Sequence, residues 1–383
     1  MSNRELALAV LQYRDYTRMP LVHFAWWRQT LEKWAAEGHV TDEEAREWHD
    51  GNVFDRAISA RLGFDFNWSS TFGPATGLYP AFKEEIVREF PDGSCHLRNA
   101  SGMIVLKRQD AVGIPSEVDH TLKDRRSWEE HFKWRWQFKP ERVTQALVRA
   151  GDEYLPWEEG GLDFLRSGRR DYLYGLSCGS LYGQIRNATG LEGLAYMQVD
   201  DPELFEEIID TVGEMTCETV RFVIDSGAKF DCSYMWEDIC FRSGPIVNPR
   251  YFRDKVGPYY RRITSTLKDG GVEIVSLDCD GKIDALIPTW IENGVNTMFP
   301  IEVGVWGASI GPWRAEYGRE LRGVGGMNKH AFARDRDAVD AEIERLKPLV
   351  ALGGYIPCPD HRIAPDAKWD LVRYYCDRMR EEF

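Results

Sequence analysis

Eight short apolar runs, each followed by a stretch of helical spacing, recur along this chain from Met19 onward, and no other feature limits its fold as much. The runs are Met19 to Trp26, Phe64 to Trp68, Asp171 to Ser177, Phe230 to Trp236, Glu273 to Asp278, Asn296 to Glu302, Leu321 to Met327 and Gly354 to Cys358. Strand then helix, repeated, is the pattern of a parallel sheet covered by helices. No dinucleotide-type glycine fingerprint follows the first run, and Gly323-Val-Gly-Gly326 is too weak a substitute. A single (β/α)8 TIM barrel is therefore expected in preference to an open doubly wound sheet, and 383 residues are ample for one.

Around that rhythm, a first helix is expected over Arg4 to Tyr13 as an N-terminal extension. Further helices are expected over Thr30 to Glu37, Asp42 to Leu62 and Asp201 to Ser226. Ser127-Trp-Glu-Glu130 fits a capping box, and Pro140 fits a helix start. From Glu84 to Val118 the residues alternate and are broken by Pro91-Asp-Gly93 and Ala100-Ser-Gly102, which predicts a β-hairpin or three-strand meander laid over the barrel mouth. It reads as an insertion in one domain spanning 1–383.

A formal net charge of −14, without a Lys/Arg-rich segment, argues against a nucleic-acid partner. Nowhere do enough apolar residues run together for a membrane span, and the first residues do not resemble a signal peptide, so a cytoplasmic protein is expected. The 8 cysteines include no CxxC pair and read as reduced thiols.

In a barrel the strand tips share one rim, and ligands and catalytic groups collect there. The polar residues at the tips are His23, Asp65, Glu237, Asp238, Asp278, Asp280, Glu302, Asn328, Asp360 and His361. Glu237, Asp238, Asp278 and Asp280, from neighbouring strands, would repel one another and raise a proton affinity, as general acid work near neutral pH requires. The plainer alternative for any of them is capping the next helix. Cys279 and Cys358 can be read as thiolate ligands or as small buried hydrophobes. Trp26, Trp27, Trp68 and Trp236 could wall a pocket for a flat ligand or pack in the core.

The run Asp278-Cys-Asp-Gly281, Leu286-Ile-Pro288, Glu292-Asn-Gly-Val295 and Phe299-Pro-Ile-Glu302, then Gly325-Gly-Met-Asn328, Gly353-Gly-Tyr355 and Ile363-Ala-Pro-Asp366, resembles the C-terminal half of the uroporphyrinogen decarboxylase superfamily. Weaker similarity lies in Gly183 to Phe205 and Glu237 to Phe252. The resemblance implies a (β/α)8 barrel and one of two chemistries: decarboxylation of a tetrapyrrole, or methyl transfer between a corrinoid and an acceptor. The decarboxylases carry Arg-Gln-Ala-Gly-Arg after the first strand. Here Arg28-Gln29 is followed by Thr30-Leu-Glu32, so the second arginine of the porphyrinogen clamp is missing, although His361 matches a decarboxylase histidine. The zinc-dependent methyltransferases use His-x-Cys before the glycine matching Gly281 and a later Cys before Ile-x-Pro. Those positions are Asp278, Asp280 and His361 here, which implies an acceptor whose proton must be managed, such as a tetrahydrofolate nitrogen.

The expectation is a corrinoid-dependent methyltransferase, served by a small corrinoid protein, in which Glu237, Asp278, Asp280 and His361 are catalytic. His23, Trp236, Glu302 and Asn328 would hold the substrate. Zinc is not expected to be required; if a metal is bound, Glu237, Cys279 and Cys358 are the candidate ligands. A decarboxylase acting on a carboxylated small molecule is the alternative enzyme, and a non-catalytic corrinoid or pterin binder a third reading.

Overall fold

The computed structural model describes residues 1–68, 70–108 and 115–383. Its strands are short. β1 (Val22–His23) pairs in parallel with β2 (Phe66–Asn67), and β3 (Thr71–Phe72) follows. β4 (Glu85–Glu89), β5 (Cys95–Arg98), β6 (Met103–Lys107) and β7 (Ser116–His120) form an antiparallel sheet of their own, and β8 (Leu147–Ala150) and β9 (Glu153–Pro156) form a hairpin. Then come β10 (Gly175–Gly179), β11 (Cys232–Trp236), the small hairpin β12 (Cys240–Phe241) and β13 (Gly244–Pro245), β14 (Ile274–Asp278), β15 (Thr297–Ile301), β16 (Arg322–Met327) and β17 (Tyr355–Pro359).

The main sheet has seven strands, all parallel, in the order β17-β16-β15-β14-β11-β10-β3. Beyond β17 the backbone is tied to the stretch that follows β1, and the β1–β2 pair is extended by one further bond. Ile363 N–H donates to Ala25 O (3.0 Å) and Trp27 N–H to Ile363 O (3.1 Å), while Trp68 N–H donates to His23 O (3.0 Å). β14, Ile274-Val-Ser-Leu-Asp278, is buried at every residue, as expected of a strand covered on both faces. The helix Pro202–Asp225 shows how the cover forms. Asp201 caps it by accepting from Leu204 N–H (3.0 Å), Pro202 opens it, and Leu204, Ile208, Val212 and Met215 lie buried along one stripe. No helix among the described residues is long and apolar enough to cross a membrane.

Several local expectations are corrected. The helix expected over Asp42 to Leu62 is two, Asp42–Glu47 and Val53–Leu62. The buried Asp55 carboxylate accepts from Trp48 Nε1 (2.9 Å) and Gly51 N–H (2.9 Å), folding the chain between them into a turn. The capping box lies three residues earlier than expected, at Asp124 and Ser127. The insertion holds four strands, not two or three, and the part of the expected meander at 109–114 lies outside the described residues. After Gly281 the helix is only Ile287–Glu292, with Pro288 in its first turn.

Candidate active site

At the carboxyl ends of β11, β14, β15 and β17 the chain brings Asp238, Asp278, Asp280, Glu302 and His361 into one group. β14 ends at Asp278. Gly281, with φ of 95°, turns the chain sharply, and a Cβ at that position would lie 2.5 Å from Cys240 O. Asp278 and Asp280, two residues apart and so directed to the same side, converge, and Cys279 between them is buried. Single donor atoms of Asp280, Glu302 and His361 lie within 4.8 Å of one another, as do those of Asp238, Asp278 and Asp280, so Asp280 belongs to both sets.

Each acid is held differently. The Asp278 carboxylate accepts from the Tyr234 hydroxyl; burial, and then the charges of Asp238 and Asp280, push its pKa well above the usual carboxylate range. Glu302 accepts from Gly281 N–H (2.9 Å) and from Trp306 Nε1 through the same oxygen. Burial, with the Asp280 charge second, raises it to about 7. Asp238 is open to solvent on one side yet flanked by protein, and that desolvation, followed by Asp280, raises it to about 6. Asp280 Oδ2 lies 3.3 Å from His361 Nε2, and its Oδ1 is buried without a partner. The His361 ring lies on Trp27, with centroids 5.9 Å apart and planes at 23°. Asp278, Glu302 and Asp238 thus hold protons more tightly than ordinary carboxyls within one group.

One imidazole and two carboxylates within reach of a single ion suit a divalent cation that accepts oxygen and nitrogen donors. The other set, Glu237, Cys279 and Cys358, does not converge: Cys279 and Cys358 are buried on strands separated by β15 and β16.

Two further expected site residues lie elsewhere. Glu237 is fully buried and faces the 180–183 turn. It accepts from Ser180 Oγ (2.8 Å), Leu181 N–H (2.9 Å), Tyr182 N–H (2.9 Å), Gly183 N–H (2.7 Å) and the Tyr260 hydroxyl, and so holds the start of the helix Gly183–Asp200. The cause is local. Glu237 stands three residues past Tyr234 and so on the opposite face, towards the covering helices, while Asp238, with φ of 47°, lies at the mouth. His23 is also fully buried. Its Nδ1 accepts from Ala25 N–H (2.9 Å), which leaves Nε2 to donate to Ser59 Oγ (2.8 Å), and burial pushes it down to about 3. It is a neutral core histidine stacked on Trp26. Asn328 caps the turn Lys329–Ala333 through His330 N–H (3.1 Å). Trp236 is half-buried, with Asp278 as its register partner.

Tyr234 and Trp306 were not anticipated. Tyr234 was legible: it stands two residues before Trp236, hence on the same face of β11, opposite Ser276 of β14. Trp306 lies past the strand, where no periodicity applies.

Residues 181–382, more than half of the sequence, match the family model for uroporphyrinogen decarboxylase (URO-D). The chain belongs to the uroporphyrinogen decarboxylase family. Among solved structures, a methyltransferase from Methanosarcina mazei aligns over 100% of this chain and 99% of its own at 14% identity, with a TM-score of 0.61. At that identity the likeness speaks to the fold. A Listeria monocytogenes protein assigned as a vitamin-B12 independent methionine synthase covers 63% of this chain and 72% of its own at 15% identity, with a TM-score of 0.35, too distant in shape to bear on it. No curated protein matches the chain.

Proposed function

We propose that this member of the uroporphyrinogen decarboxylase family is a methyltransferase, moving a methyl group between a methylcorrinoid and a nitrogen acceptor such as tetrahydrofolate, and that its strands close into a (β/α)8 barrel. The observation that carries the reading is the shared carboxylate cluster at the mouth. Asp278, Asp238 and Glu302 all hold protons more tightly than ordinary carboxyls, which suits a nitrogen that must lose or gain a proton as it loses or gains a methyl group. The second arginine of the porphyrinogen clamp has no counterpart. Arg28 donates to Arg46 O (2.9 Å) and is exposed, and position 32 is Glu.

The corrinoid, delivered by a small partner protein, supplies the carbon–metal chemistry. The half-buried Trp27, Trp236 and Trp306 offer flat surfaces beside the acids. This chain's own work is to orient the small molecule, exclude water and hold the proton on Asp278 or Asp280.

The test is exchange of a methyl group between methylcobalamin and tetrahydrofolate under anaerobic conditions, followed by the corrinoid absorbance. Asp278→Asn and Asp280→Asn should each lower the rate, by about a hundred- to ten-thousand-fold if the lost group is the general acid or base. Release of carbon dioxide from a carboxylated substrate, with no exchange in either direction, would install the decarboxylase reading instead. Full rate in both variants would make the acidic tip structural.

A further inference from the structure

The helix Gly183–Asp200 is broken in the middle, and its second half exposes an apolar surface. Gly190, with φ of 69°, leaves the helical conformation where the His120 ring of β7 packs on it, and a Cβ at that position would collide with the ring. Beyond the break, Leu194 and Met197 turn inward and are buried. The outward side of such a helix is ordinarily polar. Here Leu191, Ala195 and Val199 follow one another at intervals of four, with Tyr196 beside them, and all are exposed. Leu191 is 45% exposed, Tyr196 61% and Val199 78%. The stripe is about 12 Å long.

It borders a groove of about 680 Å³ between this half of the helix and the edge strand β7. The exposed Val118 of β7 lines the opposite side, and the buried Leu122, Met197 and Leu204 lie at the bottom. Among the described residues six acids line the groove, Glu117, Asp119, Asp124, Glu192, Asp200 and Asp201, against two basic side chains, His120 and Lys123. Both of the latter are engaged. Lys123 Nζ pairs with Asp119 at 2.8 Å, and His120 Nε2 lies 3.5 Å from Glu117, which Arg186 also approaches at 3.7 Å. Asp124 and Asp201 cap helices, whereas Glu192 and Asp200 have no hydrogen bond or ion pair among the described residues. An apolar stripe and a surplus of negative charge thus lie side by side, both unmatched.

We propose that this groove is a docking site for a helix of another protein, apolar along one stripe and carrying lysine or arginine on either side of it. The apolar stripe covers Leu191, Tyr196 and Val199, and the flanking cations meet Glu192 and Asp200. A second copy of this chain does not fit, since it carries a net charge of −14 and has no Lys/Arg-rich segment to offer. None of the acids at the mouth lines the groove, so its occupancy does not depend on the reaction proposed above.

The probe is a synthetic peptide of about fifteen residues, with leucine at helical i, i+4 and i+7 spacing and lysine elsewhere. The control is a scrambled peptide of identical composition, and each is titrated calorimetrically into the full-length protein at ~0.15 M salt. The amphipathic peptide should bind more tightly than the scramble by roughly tenfold or more. Val199→Lys, and the pair Glu192→Gln with Asp200→Asn, should each weaken it by about threefold to thirtyfold. Thermal melts matching wild type separate a lost contact from a lost fold, and Leu191→Ser probes the stripe a second time should Val199→Lys not fold. Binding with this preference, weakened by the variants, supports the docking site whether or not methyl exchange is observed. Equal binding of the two peptides, or full affinity in the stripe variants, overturns it. So does self-association of the protein through this face, seen by sedimentation and abolished by Val199→Lys.

Discussion

Replacing Glu237 by Gln separates a structural carboxylate from a catalytic one. One carboxylate oxygen accepts from Ser180 Oγ, Tyr182 N–H and Gly183 N–H, the other from Leu181 N–H and the Tyr260 hydroxyl. A glutamine can put its carbonyl oxygen on the three-donor side only by pointing its NH2 at the other two. The Tyr260 hydroxyl can rotate to accept, but Leu181 N–H is left buried without a partner, at about 1–3 kcal/mol. Loss of the negative charge weakens the three remaining bonds and the interaction with the helix N-terminus, adding ~2 kcal/mol, so about 3–5 kcal/mol in all. Unfolding entropy of about 2.1 cal/mol/K per residue over 383 residues makes this a fall in Tm of roughly 4–6 °C. The assay is a thermal melt with and without mutation, paired with the methyl-exchange rate at a temperature where both proteins are folded. The expected outcome is a lower Tm with a rate within a few-fold of wild type. An unshifted Tm with the activity gone would return Glu237 to the catalytic group and refute the structural reading.

Two other outcomes follow from the same cluster. Glu302 is raised to about 7 in the folded chain, so its contribution to stability is fully present below its unfolded pKa and is lost as pH rises through about 7. Tm should fall as pH rises from about 4.5 to about 7 and level off above that, and Glu302→Gln, an isostere of the protonated acid, should remove this group's share of the fall; an unchanged profile in the variant would place the titration elsewhere. Protein freed of zinc alone should keep its Tm and its exchange activity, since the convergent donor sets among the described residues hold no thiolate and oxygen-rich sites hold zinc less selectively; stoichiometric zinc whose removal abolishes activity and whose return restores it would overturn this.

The strand–helix rhythm was legible because buried parallel strands are apolar throughout. β14, β15 and β17 appear within a residue or two of the runs that announced them. Asp278, Asp280, Glu302 and His361 could be read as neighbours because strand tips share a rim whatever the side chains do. What sequence does not carry is direction once a strand ends. Glu237 and Asp238 are adjacent and chemically alike, yet one lies at a helix N-terminus and the other at the mouth. His23 sits on a genuine strand, but its partners Ser59 and Ala25 belong to the buried layer behind the rim. Its tautomer and burial depend on a helix 36 residues away in sequence.

The four-stranded sheet of β4 to β7 ends in two outer strands with no pairing partner among the described residues. An open strand edge is a template on which another chain can add, and apolar side chains along it would invite that growth. Ile86 and Val87 are exposed on one edge and Val118 on the other, yet Glu85, Arg88 and Glu89 bracket the first pair, and Glu117 and Asp119 bracket the last. An incoming strand would have to strip water from these charges, on an already acidic molecule. The appended sheet thus carries its own protection against fibrous association, and neutralising Glu85, Glu89, Glu117 and Asp119 together would remove that barrier.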